Sequence, residues 1–256
     1  MGNASWLRSL SAGSEDGAHT LICFPHAGGS AISFGPLART LGSQFRVLGV
    51  QYPGRQDRRH EPLLGSVADL VEGVLPEIRE LIPQTAGYSL FGHSMGAAVA
   101  FETCRRLEHD QAMSPATLFV SGRIPPARKD SHSVHRYSDQ ELIRHLLDFG
   151  GTPAALLEDP DFRSIILSVT RGDYRVIETY TCAPGAAVEC PLVALAGDRD
   201  PVTSGADLKE WQTHTTGPFT QTSFPGGHFY IDANSRGVAE LIIEESQRDQ
   251  RECNHG

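Results

Sequence analysis

Ser94 sits at the centre of Gly92-His93-Ser94-Met95-Gly96, and its surroundings are those a nucleophile needs. With 26 glycines in the chain, the five-residue pattern alone says little. The flanks carry the reading: the apolar "SLFGH" enters as a buried strand, and "AAVAFETCRRL" leaves as a helix, so the serine falls on a sharp strand-to-helix turn. A helix starting just after Ser94 points backbone N–H groups and its positive end at any anion formed there. A serine hydroxyl attacks poorly without a base, so a carboxylate and then a histidine should follow it in the chain. His228, in the glycine-rich turn "SFPGGHFYID", comes after every core strand. In "VALAGDRDPVT", Asp200 lies on the loop and can turn towards the site, while Asp198 is better placed to brace that loop. The rival position for the acid, "VSGRIPPARKD", supplies no carboxylate before Asp130. Two backbone donors should stabilise an oxyanion: the N–H of Met95, and that of Ala27 in "FPHAGGSA", with Gly28 the near alternative. His26, in the same stretch, reads as a loop residue.

These residues need a frame that brings strand ends together. Apolar runs at 19–25, 45–54, 88–94, 116–122, 191–198 and 219–227 alternate with amphipathic stretches at about 33–43, 66–82, 96–108, 205–214 and 235–247. Near-continuous apolar strands separated by helices predict an α/β fold: a mostly parallel, doubly wound sheet with helices on both faces. The rhythm stops between 131 and 187. There Ser138 and Glu141 form a capping-box pattern ahead of a helix that ends at Gly150-Gly151, and a second helical stretch follows from 159 to 180. An insertion at that point of an α/β sheet is positioned to roof a site. The predicted division is a flexible N-terminal tail (1–18), a core (19–130 and 188–248), a helical lid (131–187) and a C-terminal tail (249–256).

Composition narrows the partners. Lys and Arg number 22 against 31 Asp and Glu, a net charge of −9, which disfavours nucleic acid and anionic membranes. No window reaches the roughly 18 apolar residues of a membrane span, and the N-terminus lacks a signal-peptide pattern, so the expectation is a cytoplasmic protein. Five scattered cysteines with no C-x-x-C spacing predict neither a disulfide framework nor a zinc site.

Taken together, "LICFPHAGGSAISF", "VQYPGRQDR", "LFGHSMGAAVAFE", "LIRHLLDFGGTP", "RGDYRVIETY", "LAGDRDP" and "FPGGHFY" resemble the type II thioesterases of polyketide and nonribosomal peptide assembly lines, within the α/β-hydrolase fold. The resemblance spans nearly the whole chain. It implies hydrolysis of acyl thioesters from the phosphopantetheine arm of an acyl or peptidyl carrier protein, removing stalled or aberrant units, with Ser94, His228 and Asp200 catalytic and no metal or cofactor of the enzyme's own. Tyr230 stands where many relatives carry phenylalanine, which would touch the pocket edge. Arg55, Arg58, Arg59, Arg123, Arg128 and Lys129 lie on predicted loops and are candidates for a basic docking patch, scattered solvated charge being the alternative. Three other readings stay open: a carboxylesterase or lipase with the same triad, an acyltransferase, and a non-catalytic binding module.

Overall fold

Strands and helices alternate along the chain, and each strand is as apolar as its position in the sheet requires. The computed structural model describes residues 5–11, 18–109, 113–129 and 132–253. The elements run β1 (Leu7–Ser9), β2 (His19–Phe24), α1 (Gly35–Leu41), β3 (Phe45–Val50), α2 (Val67–Leu81), β4 (Tyr88–His93), α3 (Met95–His109), β5 (Leu118–Ser121), α4 (Asp139–Phe149), α5 (Ala154–Glu158), α6 (Pro160–Glu178), β6 (Leu192–Gly197), α7 (Gly205–Glu210), β7 (Phe219–Phe224), α8 (Tyr230–Ala233) and α9 (Ser235–Cys253). They build one seven-stranded sheet in the order β1-β3-β2-β4-β5-β6-β7, parallel throughout except for β1, which runs antiparallel to β3. Every residue of β2, β4, β5 and β6 is buried, because helices cover both faces. Edge strand β7 is instead half-exposed along its length.

Side chains alternate between the two faces. Ile22, Phe24 and Leu90 join α2 and α3 in one apolar cluster, while Leu21, Cys23 and Phe91 join α1 and α9 in the other. Local chemistry sets the helix starts: Ser66 accepts the Asp69 N–H to open α2, and Ser138 and Glu141 form a reciprocal capping box on α4. Between β5 and β6 the described residues form α4, α5 and α6 and no strand. This segment has a small apolar core of its own, built from Val134, Leu142, Leu146, Leu157 and Leu167. The short α5 had no clear signal in the sequence. Asp159 closes the gap after it, accepting the N–H groups of Asp161 and Phe162 at the start of α6.

Both expected tails need correction. Residues 5–11 are anchored, with β1 paired to β3 and Trp6 buried against α2, where a Cβ on Gly73 would fall 2.1 Å from the indole. Glu77 accepts the Trp6 and Leu7 N–H groups at 2.6 and 3.1 Å, and the Arg58 guanidinium lies 4.3 Å from the Trp6 ring centroid. A three-residue edge strand is too short to show a period, and its anchor lies some 70 residues away. At the other end, α9 runs to Cys253, into the expected C-terminal tail. No helix among the described residues is long and apolar enough to cross a membrane.

Candidate active site

Ser94 is the single residue between the end of β4 and the start of α3, and it has φ +56°. For a serine this left-handed conformation costs about 1–2 kcal/mol, so the surroundings must hold it. They do: the Ser94 N–H donates to Ser121 O at 2.7 Å, and Ser94 O accepts the Ala97 N–H at 3.0 Å. The two motif glycines have a packing role. A Cβ on Gly92 would lie 2.2 Å from Gly96 O, and one on Gly96 would lie 1.9 Å from Phe24 O. The turn closes only because neither residue carries a side chain, which brings α3 down onto the sheet and presents the serine above it.

The base and its carboxylate come from the next two loops. His228 Nδ1 lies 2.9 and 3.1 Å from the two Asp200 oxygens, with both side chains almost wholly buried. That contact orients the ring so that Nε2 is the nitrogen left for proton transfer. Asp198 braces the pair of loops: it accepts the Gly226 N–H at 2.8 Å, while the Arg199 N–H reaches Gly226 O at 2.9 Å. Ser94 and His228 line one cavity of about 270 Å³. No hydrogen bond joins them here, and such contacts commonly tighten only when substrate is bound.

His228 has two other imidazoles near it. His93 packs 4.9 Å from it, centroid to centroid, and bonds through Nδ1 to Ser121 Oγ, which in turn meets the Tyr230 hydroxyl at 2.7 Å. His26 lies 4.8 Å from the Phe229 ring. Burial holds the His93 pKa well below the ordinary histidine value, with the His228 and His26 charges adding to the effect. His26 is lowered to about 3 by burial first, then by His228 and Arg55. Both rings are therefore neutral at physiological pH, and among the described residues only His228 of the three is hydrogen-bonded to a carboxylate. Tyr230 departs from expectation: it lies in the core, with its hydroxyl on Ser121, and Phe229 occupies the pocket edge instead.

The loop after β3 meets the lid through a buried ion pair that sequence reasoning missed, and the loop after β2 is tied to the same pair. Arg55 reaches Asp173 of α6 through two nitrogens at 2.5 and 2.8 Å, with side-chain exposures of 7% and 6%. The Gly28 N–H donates to the same Asp173 carboxylate at 2.8 Å, and Arg55 also donates to Gly29 O at 3.1 Å. The Gly28 N–H is thus engaged, while Ala27 lines both cavities together with Ser94. Among the described residues, neither the Ala27 nor the Met95 N–H has an acceptor within the protein. The signal for this pair was present in "YPGRQDR" and "RGDYRV", but nothing in the sequence says that the two segments touch.

The lid roofs a larger chamber of about 440 Å³, which shares Ala27, Ser94, Phe149 and Tyr174 with the smaller cavity. Val134, Tyr137, His145 and Ile177 supply much of its wall. Ser94 therefore stands where two spaces meet. The expected basic patch does not form as expected. Arg55, Arg58 and Arg123 are buried, Arg58 pairs with Glu61, and Arg128 pairs with Asp207, so among the described residues only Arg59 and Lys129 stay exposed without such ties.

Away from the site, Cys104 and Cys190 bring their sulfurs to 3.5 Å beside Glu108, a proximity invisible in their spacing. Glu108 accepts the Glu189 and Cys190 N–H groups there, and burial holds the Cys104 thiol well above its usual pKa.

A family model described as a thioesterase domain matches residues 19–245. The chain belongs to the thioesterase domain family. This thioesterase is 41% identical over 227 residues to thioesterase PikA5 of Streptomyces venezuelae, a match covering 89% of the chain and 80% of the relative. Among solved structures it is similar to BorB, described as a type II thioesterase from the borrelidin biosynthetic cluster, with 39% identity and a TM-score of 0.86. That match covers 96% of this chain and all of the other. YbtT, described as a type II thioesterase of the yersiniabactin pathway, gives the same TM-score at 28% identity, covering 96% and 99% of the two chains. The α/β-hydrolase architecture of the thioesterase follows from these likenesses and from its sheet order.

Proposed function

We propose that this thioesterase hydrolyses acyl thioesters held on the phosphopantetheine arm of an acyl or peptidyl carrier protein, clearing aberrant or stalled units during polyketide or nonribosomal peptide assembly. The observation that carries the reading is the position of Ser94, on a strained turn where two cavities with shared walls adjoin beneath the lid. One space suits the acyl group and the other the arm that delivers it, so the scissile carbonyl would sit at the serine.

In this scheme His228 Nε2 takes the Ser94 proton as Oγ attacks the thioester carbonyl, and Asp200 stabilises the imidazolium through Nδ1. The N–H groups of Met95 and Ala27 receive the oxyanion, each contributing on the order of 3 kcal/mol to lowering the barrier. Collapse of the tetrahedral intermediate expels the pantetheine thiolate, a better leaving group than an amine, and His228 supplies its proton. Water then attacks the acyl-serine, giving up its proton to His228 before Ser94 leaves. The neutral His26 and His93 and the rings of Phe149 and Phe229 keep the surroundings of His228 apolar. The steps draw on protein groups alone, and the pantetheine belongs to the partner.

The test is mass spectrometry of carrier proteins loaded with a panel of acyl groups and incubated with the protein. Acyl mass should be lost from the carrier with the wild type and retained with Ser94→Ala, which should fold normally. If a nitrophenyl ester of the same acyl group were turned over with higher kcat/KM than the carrier-bound form, the carboxylesterase reading would replace this one.

A further inference from the structure

A broad groove of about 880 Å³ runs along the outer side of the lid, separate from the chamber over Ser94. Four arginines line it, Arg136, Arg163, Arg171 and Arg175, against a single carboxylate, Asp139. On a chain of net charge −9 this is a marked local reversal of sign. Arg171 is committed to the lid itself, donating to His135 O, Tyr137 O and the Asp139 carboxylate. Arg136, Arg163 and Arg175 differ: among the described residues none has a carboxylate partner, and Arg136 and Arg175 are exposed.

The spacing is regular. Arg163, Leu167, Arg171 and Arg175 follow one another at four-residue steps along α6, so the three arginines form one stripe about 18 Å long, at a rise of 1.5 Å per residue. A helix with acidic residues at the same step presents carboxylates about 6 Å apart and can match such a row. The groove is far larger than a lone phosphate requires. A long nucleic-acid polyanion would meet repulsion from the rest of the molecule. The wall between groove and chamber is thin: Val134 and Tyr137 line the chamber, and His135 and Arg136, between them in the chain, line the groove. Helix α6 likewise gives Tyr174 and Ile177 to the chamber and Arg171 and Arg175 to the groove.

We infer that this arginine groove docks an acidic helix of the carrier protein that bears the thioester, holding the partner against the outer wall of the acyl chamber. The inference rests on the substrate reading above and adds the surface by which the partner is recognised. It moves docking from the β3 and β5 loops, where most of the arginines are buried or paired, onto the lid. Rim charges of this kind act mainly on association, so they should govern KM and its salt dependence and leave the chemical step alone.

The experiment compares wild type with Arg136→Glu/Arg163→Glu/Arg175→Glu, using acyl-carrier protein and acyl-pantetheine with the same acyl group. The variant should raise KM for acyl-carrier protein by about tenfold or more and flatten its salt dependence, with kcat/KM on acyl-pantetheine within about twofold of wild type. Retained turnover of the small thioester shows that the variant is folded. If the carrier preference of the wild type survives in the variant, the groove is not the docking surface, although the substrate reading stands. If the wild type itself shows no carrier preference, both fall. A single-stranded oligonucleotide that inhibits wild type but not the variant, at concentrations where free carrier protein does not, would assign the groove to nucleic acid instead.

Discussion

Replacing Asp173 by leucine, alone and together with Arg55→Met, separates what the buried ion pair does for stability from what it does for the site. In the single variant the Arg55 guanidinium, 7% exposed in the native protein, loses its partner, and an uncompensated buried charge of this kind costs about 3–5 kcal/mol. That is a large share of the roughly 5–15 kcal/mol by which a domain is stable, so the single variant should unfold at distinctly lower denaturant. The double variant replaces both charges with apolar groups, a change that in other buried pairs is close to neutral, and most of that loss should return. One deficit remains: the Gly28 N–H, which donates to Asp173 at 2.8 Å, still lacks an acceptor, worth about 1–3 kcal/mol. The Arg55 bond to Gly29 O is also gone, so the loop that carries the Ala27 N–H loses both anchors. Removing an oxyanion donor outright costs about 10²–10³ in kcat, and a displaced donor should lose at least tenfold. Urea unfolding and steady-state hydrolysis of a short acyl-pantetheine check both quantities. The expected result is a double variant with stability largely restored, kcat depressed at least tenfold and KM nearly unchanged. A double variant with both stability and kcat near wild type would refute the coupling between lid and oxyanion loop.

Three further outcomes follow from the same geometry. Gly96→Ala would place its Cβ 1.9 Å from Phe24 O, so it should either fail to accumulate as folded protein or lose turnover together with several kcal/mol of stability; near-normal expression and activity would show that the elbow can relax. Burial lowers the His19 pKa from 6.5 to about 4. The unfolded chain therefore binds a proton that the native state refuses, and stability, full above pH 6.5, should fall by up to roughly 3 kcal/mol as pH drops towards 4. In His19→Gln that part of the slope should disappear from pH-dependent unfolding curves; an unaltered slope would place the acid sensitivity elsewhere. Tyr230→Phe removes the hydroxyl that meets Ser121 Oγ at 2.7 Å and should cost about 1 kcal/mol in thermal or urea unfolding, with kcat within a few-fold; a hundredfold loss of kcat would give the Ser121–His93 chain a catalytic role.

How legible each element was depended on the range of the forces that form it. Five of the six parallel strands could be read because strands buried on both faces must be apolar throughout, and the caps of α2 and α4 because Ser66 and Ser138 act on residues three positions away. The triad candidates followed from chain order and turn chemistry, and the structure brings Asp200 to His228, which lines the cavity at Ser94. Strand β1 escaped notice because its anchors, Glu77 and β3, are distant in sequence. The expected basic patch failed to form for a related reason: sequence counts an arginine as exposed charge, whereas Arg55 and Arg58 find carboxylates and sink below the surface.

The sequence by itself determined the class of fold, the strand-to-helix turn at Ser94 and the chain order of the catalytic candidates, because these rest on local patterns of burial, on glycines that admit close packing, and on fixed turn geometry. Only the tertiary structure decided that Asp173 reaches across to Arg55 and Gly28, so that the Gly28 N–H is engaged, and that the lid's arginines line up on a face of their own. Those facts depend on contacts between segments up to 145 residues apart, whose pairing no local pattern encodes.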